Sequence, residues 1–123
     1  MRNLSINLLP ETYFKKYFLQ IKEALDLVNY SELEKVAGLV RESQELGKKV
    51  IIVGNGGSAS IASHLTVDLI NAAKIKAVNF NESSIITCFA NDYGYENWVA
   101  KALDCYADSG DVVILISSSG QSE

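Results

Sequence analysis

Over the first 47 residues, apolar positions recur three and four apart. Pro10, Glu11 and Thr12 open a segment whose apolar side chains fall at Phe14, Tyr17, Phe18, Ile21, Leu25 and Val28, and proline suits the first turn of a helix. Ser31-Glu32-Leu33-Glu34 reads as a capping box ahead of a second stripe at Leu33, Val36, Ala37 and Val40, the serine and glutamate satisfying each other's orphan amides. Gly47 is placed as the terminator, able to take a positive φ. Residues 1–47 are therefore expected to form two N-terminal helices in series.

From residue 48 the pattern changes. Val50-Ile51-Ile52-Val53 is a continuous apolar run ending in Gly54, as in a strand covered on both faces. The following segments read as helix over 58–73, a weaker strand over 77–80, a short helix over 83–90 and a longer helix over 95–107. Gly110-Asp111 then turns the chain into Val112-Val113-Ile114-Leu115-Ile116, which reads as a second buried strand. Strands alternating with helices predict an α/β fold, a parallel sheet with flanking helices joined by right-handed crossovers. A parallel sheet of three strands leaves an edge uncovered. Residues 1–123 are thus expected to be a single domain that is C-terminally incomplete, with 48–123 holding its first three strands and their helices.

Composition narrows the class. Hydrophobic residues make up 48% and charged residues 21%, enough apolar material for a packed core. A net charge of −4, from 11 basic and 15 acidic residues, does not favour nucleic acid as a partner. No apolar run approaches the roughly 18 residues of a membrane span, and the Met1-Arg2-Asn3-Leu4-Ser5 start does not resemble a signal peptide. Cys88 and Cys105 have no C-x-x-C partner and are expected as buried free thiols in a cytoplasmic protein.

The candidate chemistry lies in two loops. Gly54-Asn55-Gly56-Gly57-Ser58-Ala59 joins a strand to a helix, and Ser117-Ser118-Ser119-Gly120-Gln121-Ser122 follows a strand in the same topological position. Ligands bind outside the carboxyl ends of strands in open α/β sheets. Glycines admit an anion to the backbone amides, a helix N-terminus adds partial positive charge, and hydroxyls donate further hydrogen bonds. Either loop alone fits an ordinary turn with capping serines; the pair at equivalent positions points to phosphate. Gly54-x-Gly56-x-x-Ala59 also satisfies a dinucleotide fingerprint, which wants an acid about 20 positions on. Glu82 lies 28 positions after Gly54, and Asn79 and Asn81 flank the strand end instead.

Taken together, Gly54-Asn55-Gly56-Gly57-Ser58, His64, Asn91-Asp92-Tyr93-Gly94-Tyr95, Gly110-Asp111-Val112 and the serine loop resemble the sedoheptulose 7-phosphate (phosphoheptose) isomerases of the sugar-isomerase (SIS) superfamily. The resemblance runs from about residue 36 to 123. It implies a flavodoxin-like three-layer fold with a five-stranded parallel sheet, in a cytoplasmic homotetramer whose sites lie at subunit interfaces. It further implies that Asn55, Gly56, Gly57 and Ser58 line the sugar phosphate. Ser117, Ser118, Ser119 and Ser122 would bind the phosphate, and Asn91 with Asp92 the sugar.

The same resemblance makes His64 a first zinc ligand. Four residues on, where those enzymes carry a glutamate that is both metal ligand and catalytic base, this chain has Asp68. The i,i+4 spacing puts both on one helical face, but aspartate is one methylene shorter and reach governs proton transfer and metal geometry. His64 is open to three roles: zinc ligand, active-site contact without metal, or helix surface. The implied activity is aldose–ketose isomerisation of a seven-carbon sugar phosphate through an enediol, with Asp68 as base and His64 beside it. Its alternative is a non-catalytic SIS domain that senses a phosphosugar or serves as a scaffold. Trp98 and the tyrosines near it are expected in the core.

Overall fold

The computed structural model describes residues 11–121. Pro10 and Ser122 lie outside the described residues. The chain divides into two compact units, Met1–Glu34 and Lys35–Glu123.

In the first unit, helix α1 spans Glu11–Asp26 and buries none of its residues. Tyr13 stacks on Tyr17 along it at 6.3 Å between ring centroids. Helix α2 spans Tyr30–Glu45, and its start differs from the expected capping box. The Asn29 side-chain Oδ1 accepts from the amides of Ser31 (3.1 Å) and Glu32 (3.4 Å), and Ser31 Oγ donates to the same atom at 2.8 Å. The cap is therefore Asn29, one of the side chains best suited to it, and the serine hydroxyl is spent as a donor.

In the second unit, α2 ends as expected. Gly47 has φ 70°, its amide donates to Gln44 O (3.0 Å), and that of Lys48 to Ser43 O (2.8 Å), the paired bonds of a Schellman motif. Strands β1 (Val50–Gly54), β2 (Ala77–Asn79) and β3 (Val112–Ile116) form a parallel sheet in the order β2-β1-β3. Helix α3 (Gly57–Asn71) follows β1, and α4 (Ser83–Tyr93) follows β2. A 3-10 turn at Tyr95–Asn97 then leads into α5 (Trp98–Tyr106).

The sheet is sandwiched. On one face Val50 and Ile52 pack with Ala62, Ile75 and Ala77, joined by Val40, Leu65, Leu69 and alternate residues of β3. On the other, Ile51 and Val53 pack with Phe80, Trp98 and Ala102. Central β1 is fully buried, matching its unbroken apolar run. Strand β3 is not the doubly buried strand its sequence suggests. Val113 and Leu115 are exposed, because α4 and α5 cover β1 on that face and no β3 residue joins their cluster. Both free cysteines are exposed rather than buried. Among the described residues, no helix is long and apolar enough to cross a membrane.

Candidate phosphosugar site

Strands β1 and β3 pair in register from Val50 with Val112 to Gly54 with Ile116, so the two loops leave the sheet side by side. Between them lies a cleft of about 280 Å³. Asn55, Ser58, Ser117 and Ser118 line it, with Val53, Trp98, Val99, Leu115 and Ile116 as its apolar part and Tyr95 and Glu96 on its rim.

The first loop is shaped by two glycines. A Cβ on Gly54 would sit 2.6 Å from the carbonyl carbon and oxygen of Ser58, so only glycine lets α3 begin this close to β1. Gly56 takes φ 56° at the helix start. The amides of Ser58 and Ala59 turn back onto the carbonyls of Asn55 (3.0 Å) and Gly56 (3.1 Å). The second loop is braced by its serine side chains instead: Gly120 N donates to Ser117 Oγ and Gln121 N to Ser119 Oγ, both at 3.1 Å.

Helix α3 is moored at its side by asparagines. Asn81 Nδ2 donates to Ala59 O (2.6 Å) and Ser63 Oγ (2.7 Å), and Asn79 Nδ2 to Thr66 Oγ1 (3.2 Å). Glu82 caps α4, accepting from the Ile85 amide at 2.9 Å. Hydrogen bonds from the Ser84 and Ile85 amides hold its carboxyl below the usual range. The residues that a dinucleotide would need at the end of the second strand are thus occupied with the fold, which weighs against that reading.

The remaining sequence-derived candidates fall elsewhere. His64 and Asp68 share one exposed face of α3, with Nε2 and Oδ2 3.5 Å apart and side chains 81% and 58% exposed; neither lines the cleft. Among the described residues no three His, Cys, Asp or Glu side chains are grouped to hold a metal. Since zinc takes at least three protein ligands, this pair alone does not make a zinc site. Asn91 and Asp92 sit in the last turn of α4, which runs three residues past its expected end at 90. There Asp92 accepts from Asn91 Nδ2 (2.9 Å) and lies 3.7 Å from the Cys88 thiol. Loss of solvent around that thiol and the Asp92 charge push it up, keeping it protonated.

Tyr95 is the residue that sequence reasoning missed. Instead of joining the core it is half exposed, and its hydroxyl donates to Asn55 Oδ1 at 3.2 Å. Its place beside Gly94 in the Asn-Asp-Tyr-Gly-Tyr run was the only available signal. Trp98, by contrast, is buried as expected and forms part of the cleft wall.

Paired glycine and serine loops at the carboxyl ends of adjacent parallel strands make a candidate anion site. The chain matches the SIS domain family model over residues 13–123 and belongs to that family. Curated relatives include the phosphoheptose isomerase of Thermodesulfovibrio yellowstonii, 37% identical over 85% of this chain and 55% of that protein. That of Helicobacter pylori is 38% identical over 92% of this chain and 64% of its own length. Among solved structures, the phosphoheptose isomerase of Francisella tularensis superposes with a TM-score of 0.83 at 26% identity, over 94% of this chain and 65% of that one. That of Neisseria gonorrhoeae gives 0.78 at 28%, over 90% and 60%. The chain thus spans between half and two thirds of the length of these relatives.

Proposed function

We propose that the protein carrying this chain is a phosphosugar isomerase that interconverts sedoheptulose 7-phosphate and D-glycero-D-manno-heptose 7-phosphate. The observation that carries this reading is the cleft between two register-matched loops, with Asn55, Ser58, Ser117 and Ser118 on its wall. Phosphate held there, far from the reacting carbons, supplies binding energy that positions them. A base removes the proton on the carbon beside the carbonyl while the carbonyl oxygen takes up a proton, giving an enediol. Protonation of the former carbonyl carbon, with loss of the proton from the other enediol hydroxyl as it becomes the new carbonyl, completes the aldose–ketose exchange. Asp68 is the base in this scheme and His64 orients it. A homotetramer, implied by the resemblance, belongs to the same proposal; the apolar residues of α1, all exposed, support it.

A second reading, phosphosugar binding without turnover, is favoured by one observation: His64 and Asp68 stand outside the cleft. Proton NMR of sedoheptulose 7-phosphate in D2O with the full-length protein, with and without added zinc, separates the two. Deuterium at the reacting carbons is the expected result. Calorimetric binding with no exchange under either metal condition sinks the isomerase and leaves the binding domain.

A further inference from the structure

Resting on the reading of the cleft as a phosphosugar site, we propose that Tyr95 is a positioning residue. It fixes the Asn55 side-chain amide so that its NH2 group faces the ligand.

An asparagine side chain offers an acceptor at one end and two donors at the other. A half turn about its last bond exchanges them, and an ionised phosphate group, whose oxygens only accept, is matched only by the NH2 end. Asn55 is fixed at its backbone, where its carbonyl receives the Ser58 amide at 3.0 Å. Its side chain is exposed, and its Oδ1 accepts from the Tyr95 hydroxyl at 3.2 Å. With the phenol donating to Oδ1, the NH2 group points away from the tyrosine.

The tyrosine itself is delivered by a rigid turn. Gly94 takes φ 88°, a conformation that other residues resist. Asn97 N donates to Gly94 O at 3.0 Å, and Asn97 Nδ2 to Tyr93 O at 2.8 Å. The next residue, Trp98, is 1% exposed and anchors the turn in the core.

The test is a double-mutant cycle in the full-length protein, read as KM for sedoheptulose 7-phosphate, or as calorimetric Kd if the sugar is not turned over. Tyr95→Phe, which removes only the hydroxyl, is expected to weaken binding about fivefold, raising KM more than it lowers kcat. Asn55→Ala should cost at least as much. Adding Tyr95→Phe to Asn55→Ala should then change affinity less than twofold, because the tyrosine acts through the amide. An equal loss in both backgrounds overturns the proposal. The Asn55 side-chain amide resonances in 15N-labelled protein give a ligand-free check: they should shift in Tyr95→Phe, and unmoved signals overturn it too. A wild-type protein that binds no sugar phosphate defeats the phosphosugar reading instead, and the resonances then decide the role of Tyr95 separately.

Discussion

Replacing Asp111 by asparagine tests whether one carboxylate fastens the amino-terminal end of the sheet. The Asp111 side chain is 2% exposed and receives three donors: the Lys49 amide on Oδ1 (3.0 Å), and the Asp108 amide (2.8 Å) and Lys49 Nζ (2.6 Å) on Oδ2. Asparagine keeps the shape but has one acceptor. Whichever way its amide is turned, an NH2 group opposes at least one of these donors. With hydrogen bonds to charged groups contributing roughly 1.5–3 kcal/mol, the variant should lose about 2–3 kcal/mol at pH 7. In urea that lowers the unfolding midpoint of the full-length protein by roughly 1 M. The loss also carries a pH signature. Burial pushes the Asp111 carboxyl up, but the Lys49 ammonium and the Asp108 and Lys49 amides outweigh it and hold the group at about 2, below its ordinary 3.8. A carboxyl lowered on folding contributes stability that is complete above the unfolded value and fades as pH falls towards the folded one. The gap between wild type and Asp111→Asn should therefore be constant from pH 7 to pH 5 and shrink below pH 4. A gap under about 0.5 kcal/mol at pH 7, or one that widens on acidification, would refute the reasoning.

Two further substitutions probe the cleft. Gly54→Ala places a methyl group 2.6 Å from the Ser58 backbone; α3 must move away, costing about 2–3 kcal/mol. Sugar-phosphate affinity should fall at least tenfold by calorimetry, and unchanged affinity would count against the first loop as a binding element. Asn81→Ala cuts the bonds to Ala59 and Ser63 at a cost of about 1–2 kcal/mol. Hydrogen exchange should accelerate at amides 59–63 while the β1 amides keep their protection; equal acceleration of both would show that the mooring is not local.

What the sequence made legible was whatever rests on neighbours along the chain. The unbroken apolar run 50–53 marked a central strand, the two loops were visible at the carboxyl ends of strands, and Gly47 fell where a left-handed residue was needed. Features decided between competing local options were harder. Asn29 and Ser31 are both good caps, and hydrogen-bond geometry rather than residue type chose Asn29. Asn91 and Asp92 look like turn residues, yet the helix continues through them until Gly94 at φ 88°. Features decided by packing were not legible at all. Nothing in the run 112–116 reveals that α4 and α5 leave Val113 and Leu115 bare. Nor can periodicity show that Tyr95 reaches a residue 40 positions earlier.

The pairing of Gly54 with Ile116 makes the sheet a ruler. Neighbouring strands lie roughly 4.8 Å apart, and both loops start at the same height along them. The spacing of their starting points is therefore set by backbone hydrogen bonds and not by the side chains the loops carry. Substitutions within the loops can change what lines the cleft, but the two anchor points from which both loops are hung stay where the sheet puts them.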